Sequence, residues 1–188
     1  MEISSDVDVC NAALQMLGLD PIASLTDETT EADFCNLHYP VIRNSYLQSY
    51  SWKFATGQQA LSLLVDTPLF DWTYAFQLPT NMLRLEKISA AATTFDIQGK
   101  KLLCNSNEVS IEALFELGEE NYPDYFLEAL ILKFAAHAAL PLLEDAEKAK
   151  ELGKQFDEAN MRARRTDAWQ HPPKRIADSK FKLVAVRA

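Results

Sequence analysis

Three histidines are the side chains of this 188-residue chain best suited to acid–base chemistry near neutral pH. His38 falls in a predicted helix, His137 in the apolar stripe of another helix, and His171 at a proline-rich junction. This distribution predicts that the three side chains lie far apart in the fold. We therefore interpret His137 as a packed or surface residue of its helix and not as a catalytic base.

The cysteines and glycines form no pattern typical of a metal or nucleotide site. The three cysteines are Cys10, Cys35 and Cys104. Because their number is odd and their spacing wide, we expect reduced, buried thiols in a reducing cytoplasm and no disulfide framework. No His-Glu-x-x-His or Cys-x-x-Cys motif occurs, and the glycines form neither GxGxxG nor GxxxxGK. The sequence thus predicts no cofactor and no metal.

A group of acidic residues precedes the most apolar helix pattern and consists of Glu116, Glu119, Glu120 and Asp124. Two carboxylates can divide the acid and base roles in the cleavage of a glycosidic bond. In a loop before a helix, however, such a cluster more often complements the positive end of the helix dipole. The sequence therefore predicts that the chain is not an enzyme, with a hydrolase that uses Glu119 or Asp124 as the alternative.

The charge of the chain is divided unevenly between its body and its C-terminal end. The formal net charge is −9, yet residues 162–188 hold eight basic residues against two acidic ones, so residues 1–161 carry −15. Such a body repels nucleic acid and anionic membranes, which disfavours a nucleic-acid reader. A basic tail on an acidic body indicates docking on another protein, or else a solvated terminus.

No segment is predicted to enter a membrane. The most apolar stretch, residues 126–143, is interrupted by Glu128, Lys133, His137 and Pro141, and charged groups are costly at bilayer depth. The first residues, MEISSDVDV, have neither a basic nor an apolar segment and do not predict a secretory signal. The sequence therefore predicts neither a spanning helix nor an anchor.

Helical periodicity occurs on both sides of a central region. The first helix is predicted to begin at Ser5 or Asp6 and to stop at Gly18, and the second is capped by Thr26 or Thr30 and runs to about residue 50. A third, mainly buried helix begins at a proline, residue 123. The fourth helix has only a narrow apolar face, formed by Leu152, Phe156, Ala159 and Ala163. This pattern predicts that the helix packs lightly, either on the outside of a bundle or against another subunit.

In the central region, residues 52–121, short apolar segments alternate with turn residues. Gln98-Gly99 is predicted as the tip of a hairpin and residues 105–107 as a second turn. Trp52 and Phe54 are predicted to be buried where the second helix passes into this region. The pattern predicts a small antiparallel sheet of about four to six strands.

Together these patterns predict an α+β fold: a bundle of about four helices with an inserted small antiparallel β domain and an extended C-terminal tail. The helical bundle domain would comprise residues 1–51 and 122–170, the inserted β domain residues 52–121, and the docking tail residues 171–188. Apolar positions alternate with basic ones in the tail, and nothing nearby in the sequence would cover them.

Several phrases of the sequence resemble one known family. The two most specific are LGLDPIASL at 17–25 and SYSWKFA at 49–55; the weaker ones are YAFQLPTNMLRL at 74–85, FLEALILKFAAHAALPL at 126–142 and MRARRTDAWQ at 161–170. In this order they resemble the head-to-tail adaptor proteins of tailed bacteriophages, of the tail tubular protein A type found in short-tailed phages. The resemblance covers nearly the whole chain up to about residue 170.

The resemblance implies a structural subunit of the virion that is assembled in the host cytoplasm. Twelve copies would form a ring below the portal protein, join it to a downstream nozzle or tail tube protein, and continue a channel through which DNA passes without specific binding. The interfaces of such a ring are heterologous, so each copy uses two different surfaces. By position and character, the tail residues that would bind the portal are Lys174, Arg175, Lys180, Phe181, Lys182, Leu183, Val184 and Arg187.

Two other functions are compatible with the residues. One is a cell-wall hydrolase component that uses the loop carboxylates, and the other is a cytoplasmic binding protein whose basic tail grips an acidic partner other than a portal. Deletion of residues 172–188 is predicted to abolish portal attachment while the body stays folded, because few core contacts would involve the tail.

Overall fold

Four helices and two small antiparallel sheets make up the described part of the protein, which is residues 3–89 and 94–170 of a computed structural model. This arrangement confirms the predicted α+β class, while the predicted tail, residues 171–188, lies outside the described residues. In chain order the elements are α1 (Asp6–Leu17), α2 (Thr30–Gln48), β1 (Thr56–Ala60), β2 (Ser62–Leu63), β3 (Tyr74–Gln77), β4 (Met82–Ile88), β5 (Phe95–Gln98), β6 (Lys101–Cys104), β7 (Ser110–Phe115), α3 (Asp124–Leu143) and α4 (Ala146–Trp169).

The first two helices begin and end close to their sequence signals. Ser5 caps α1 in a capping box: its side chain accepts a hydrogen bond from the backbone N–H of Asp8, and the Asp8 carboxylate accepts one from the Ser5 N–H at 3.1 Å. Gly18 ends α1 at φ 77°, in the left-handed region that favours glycine. Thr29 caps α2, between the two predicted caps, and the helix ends at Gln48, slightly before its predicted end.

The strands form two sheets, so the prediction of one sheet is wrong. The first sheet has the strand order β1-β7-β4 and the second β2-β3-β6-β5. Only Leu61 separates β1 from β2, and its backbone N–H donates to the carbonyl of Val109 at 2.9 Å. Because Leu61 is the only residue between the two strands, no turn residue in the sequence marks the change.

One of the two predicted turns closes a hairpin. Gln98 pairs with Lys101, and Gly99 adopts φ 62°, so β5 and β6 form the predicted hairpin with Gly99 in its tip. Residues 105–107 follow β6, but β7 pairs with β1 and β4 in the other sheet. The second turn therefore carries the chain between sheets instead of joining two paired strands.

Two apolar cores hold these elements together. The larger core lies among the four helices and includes Trp52 and Leu114 from the region between α2 and α3. The smaller core lies around Phe76 and Leu102 in the β region. Trp52 is fully buried, as predicted, and Phe54 is partly buried against the larger core. Trp52 and Leu114 thus attach the β region to the helices.

The most apolar helix, α3, is the centre of the larger core. Pro123 caps it at the N-terminal side, where the missing N–H of proline is not needed. By length and composition α3 could cross a membrane, with a mean hydropathy of 1.6, but half of that apolar window is buried inside the fold. Because α1, α2 and α4 all pack on α3, it has the surroundings of a core helix.

The fourth helix packs closely, so the prediction of light packing is wrong. α4 lies along α3, and its contact with α3 is the most extensive between any two described helices. Leu152, Ala159 and Ala163 are buried, while Phe156 is partly buried. Small alanine side chains let two helix backbones approach closely, so a narrow apolar seam suffices for a long contact.

Candidate functional site

The C-terminal tail was predicted to carry the docking residues, and all of them, from Lys174 to Arg187, lie outside the described residues. The structure describes the chain up to Gln170, directly after α4. What it shows is therefore the end of α4, which precedes the tail in the sequence and which we call the base of the tail, and the surfaces of the body itself.

The last turns of α4 are fixed by a buried carboxylate. Asp167 is fully buried, and both of its oxygens accept hydrogen bonds from the backbone N–H of Lys53, at 3.0 and 3.1 Å. The Tyr125 hydroxyl donates a third bond to Asp167 at 3.1 Å. Burial and the neighbouring carboxylate raise the pKa of Tyr125 above its usual value, so this phenol stays protonated as a donor.

This carboxylate joins three parts of the fold at the base of the tail. Lys53 lies between α2 and β1, Tyr125 lies in the first turn of α3, and Asp167 lies close to the end of α4. Directly beyond this anchor, Trp169 is 77% exposed. The end of α4 is therefore attached to the fold at Asp167 and carries an exposed aromatic side chain at Trp169.

The acidic cluster before α3 is mainly an ion-pair network. Glu119 is 8% exposed and accepts hydrogen bonds from the Tyr39 hydroxyl at 2.9 Å and from the Arg43 guanidinium at 2.9 Å. Arg43 also forms an ion pair with Glu116. Burial, followed by the Glu119 charge, raises the pKa of the Tyr39 phenol. Glu116 and Glu119 therefore tie α2 to the segment before α3.

The prediction that the whole cluster complements the dipole of α3 is wrong, because only Asp124 lies in the first turn of that helix. Glu119 is buried, and its carboxylate is paired with Tyr39 and Arg43 within the fold. Glu120 and Asp124, two members of the cluster, line a surface depression of about 290 Å³ together with Glu128, which Arg162 holds at 2.9 Å. This is the place where the geometry leaves cluster carboxylates open to solvent.

Two of the histidines lie side by side, which contradicts the prediction that all three are far apart. The ring centroids of His38 and His137 are 5.3 Å apart, and Phe34 stacks on His38 at 4.4 Å. Burial lowers the pKa of His137, and the neighbouring His38 and Lys133 lower it further by electrostatic repulsion of its charged form. His137 is an exposed residue of α3, which agrees with the predicted alternative of a surface position.

The cysteines are free, buried thiols, as predicted. A hydrogen bond with Cys35 raises the pKa of Cys10, and burial raises it further. In residues 3–89 and 94–170, no three histidine, cysteine or acidic side chains are grouped so that they could hold a metal ion.

The loop between β2 and β3 exposes large apolar side chains, which the sequence patterns did not predict. Val65 is 98% exposed, Leu69 90% and Phe70 77%. Beneath the loop lies a cavity of about 390 Å³ whose lining includes Ala75, Leu103 and four charged residues, Asp66, Asp71, Asp96 and Lys101. A loop that presents large apolar side chains to solvent indicates a contact with another protein. The signal was present in the sequence TPLFDW, where large apolar residues stand among turn residues.

No protein-family model matches the chain, and no curated protein matches it significantly.

Proposed function

We propose that this chain is a structural head-to-tail adaptor subunit of a tailed bacteriophage. Copies of it, twelve by the family resemblance, would form a ring below the portal protein, join the portal to a downstream nozzle or tail tube protein, and continue the DNA channel. The protein would be assembled in the host cytoplasm and reside at the head–tail junction of the virion. Its work would be to bind and position proteins, without catalysis.

The observation that carries the proposal is the base of the tail. The buried Asp167 fixes the last turns of α4 to the segment before β1, whereas Trp169 is exposed and leads to the basic tail. A fixed base limits the directions in which the tail leaves the subunit, and so lowers the entropy cost of its docking. Electrostatic attraction between the basic tail and an acidic portal rim would speed their encounter.

A second set of exposed apolar residues supports a contact with another protein. Val65, Leu69 and Phe70 project from the loop between β2 and β3, in a different part of the chain from Trp169. An adaptor needs one surface for each of its neighbours, so two separate contact segments fit this role. The loop is the part of the β region that we assign to the downstream tail protein.

The charge of the body fits a channel wall that does not hold DNA. Residues 1–161 carry −15. In a ring, like charge would keep a passing duplex away from the wall, because the phosphates of DNA are negative as well.

The test is the binding of the purified full-length chain to the cognate portal protein, read by electron microscopy and by co-sedimentation. We expect a ring on the portal with the intact chain, and no attachment after deletion of residues 172–188, with the circular dichroism of the body unchanged. A matched control, Lys150→Gln with Lys154→Gln, removes two charges from exposed positions of α4 and should leave attachment intact. Failure of the intact chain to bind the portal refutes the proposal.

A further inference from the structure

Two basic side chains lie over the faces of aromatic rings where α2, α3 and α4 meet. The Lys133 Nζ lies 5.1 Å from the ring centroid of Tyr46 and 5.6 Å from that of Phe156. The Arg164 guanidinium lies 5.3 Å from the ring centroid of Tyr50. Rings at these distances attract cations through their negative faces. We call Lys133, Arg164 and Asn160, together with these three rings, the Lys133 site.

The donors of the Lys133 site are oriented but lack an anion. Arg164 Nε donates to Asn160 Oδ1 at 3.2 Å, and the Tyr46 hydroxyl donates to the same oxygen at 3.3 Å. The amide nitrogen of Asn160 therefore remains as a further donor. Among the described residues, no carboxylate lies within 4.0 Å of the charged nitrogens of Lys133 or Arg164, whereas Arg43, Arg84, Lys87 and Arg162 each have a carboxylate partner.

This arrangement carries an electrostatic cost. Burial lowers the pKa of Lys133, and the nearby positive charge of Arg164 lowers it further. Both side chains are partly buried, so neither is fully solvated by water. An anion bound to these groups would relieve the repulsion, and its hydrogen bonds from the charged nitrogens of Lys133 and Arg164 would be charge-assisted.

We propose that the Lys133 site binds a carboxylate of a second copy of this chain. The argument is charge complementarity: residues 1–161 carry −15, so two copies repel each other unless basic groups lie at their contact. The Lys133 site provides two such groups that have no acidic partner among residues 3–89 and 94–170. The inference rests on the ring of the proposed function, in which one surface of each copy meets a different surface of the next.

Nucleic acid is the competing occupant, because bases stack on aromatic rings beside basic groups. The acidic body disfavours it, since phosphates would have to approach a surface of the same sign. A carboxylate of a neighbouring subunit, in contrast, brings a single negative charge to the site. The aromatic rings would exclude water around that carboxylate.

The first experiment is zero-length cross-linking of the full-length chain with a carbodiimide, which joins an amine to a carboxylate in contact with it. A concentrated mixture of ¹⁴N-labelled and ¹⁵N-labelled protein distinguishes links between copies from links within one copy by mass spectrometry. We expect mixed-isotope peptides that join Lys133 to an aspartate or glutamate. If Lys133 forms such links no more often than the exposed Lys150 and Lys154, the proposal is overturned.

The second experiment compares association constants by sedimentation velocity. We expect the variant Lys133→Gln with Arg164→Gln to weaken self-association about tenfold, because two desolvated charges are lost at the contact. The matched control, Lys150→Gln with Lys154→Gln, changes the net charge equally and should leave association unchanged. Equal effects of the two variants would overturn the proposal, because net charge alone would then explain them.

The third experiment tests nucleic acid. If a single-stranded DNA oligonucleotide binds the chain and the Lys133→Gln, Arg164→Gln variant abolishes the binding, the site belongs to phosphate and the proposal is overturned. These outcomes are separate from the test of function: the chain can attach to a portal while Lys133 forms no links between copies, and it can form those links while attachment to a portal fails.

Discussion

Replacement of Asp167 by alanine tests whether the base of the tail is held as described. The variant removes the acceptor of three hydrogen bonds from two donors, the Lys53 N–H and the Tyr125 hydroxyl. A hydrogen bond to a charged group contributes about 1.5–3 kcal/mol. Both donors are only partly buried in these contacts, so the lower end of that range applies to each. We therefore expect a loss of about 3 kcal/mol in the free energy of unfolding.

The assay is urea unfolding followed by circular dichroism, with thermal unfolding as a second measure. For a chain of this size, a loss of about 3 kcal/mol lowers the midpoint temperature by roughly 6–12 °C. Asp167→Asn keeps one acceptor oxygen and should lose less, about 1–2 kcal/mol, because its amide nitrogen opposes one of the donors. Tyr125→Phe removes a single donor and should cost about 1 kcal/mol.

The result that refutes the reasoning is a small change. If Asp167→Ala loses less than about 0.5 kcal/mol, the value typical of surface substitutions, the carboxylate does not hold the helix end. A double-mutant cycle of Asp167→Ala with Tyr125→Phe should show coupling, since the two side chains are in contact. Additive effects would contradict the hydrogen bond between them.

Three further predictions concern the turn, the histidine pair and the exposed loop. Gly99→Ala should lower the free energy of unfolding, measured in urea, by roughly 1 kcal/mol, because Gly99 has φ 62°. Gly153→Ala, in the interior of α4, should raise that free energy by about 0.5–1 kcal/mol. Equal effects of the two variants would contradict the turn geometry. The lowered pKa of His137 means that its contribution to stability is present above the ordinary value of 6.5 and is lost as the pH falls through the folded pKa. His38→Gln should therefore move the pKa of His137 upward in an NMR titration, and an unchanged value would show that the rings do not interact. Phe70→Ser should leave the free energy of unfolding within about 0.5 kcal/mol but weaken binding of the downstream tail protein in a pull-down; normal binding would remove the loop from that contact.

Local signals in the sequence predicted local structure well. Ser5, Gly18 and Gly99 were assigned from their residue types, because a cap or a tight turn depends on only a few neighbouring residues. The burial of Trp52 could also be predicted, since a large apolar side chain between a helix and a strand must find cover.

Features that depend on partners distant in the chain were missed. The change of sheet at Leu61 depends on Val109, far along the chain, and the pairing of His38 with His137 depends on how α2 meets α3. The buried Asp167 was counted only as a charge, although its partners are Lys53 and Tyr125. Sequence periodicity shows which face of a helix is apolar, but not which residue of another helix it will meet.

The most direct test of the central claim is an electron cryo-microscopy map of the full-length chain bound to its cognate portal. The account predicts ordered density for residues 174–187 inside grooves of the portal, with the basic side chains against portal carboxylates. Density that places these residues in solvent, or back on their own subunit, would contradict it.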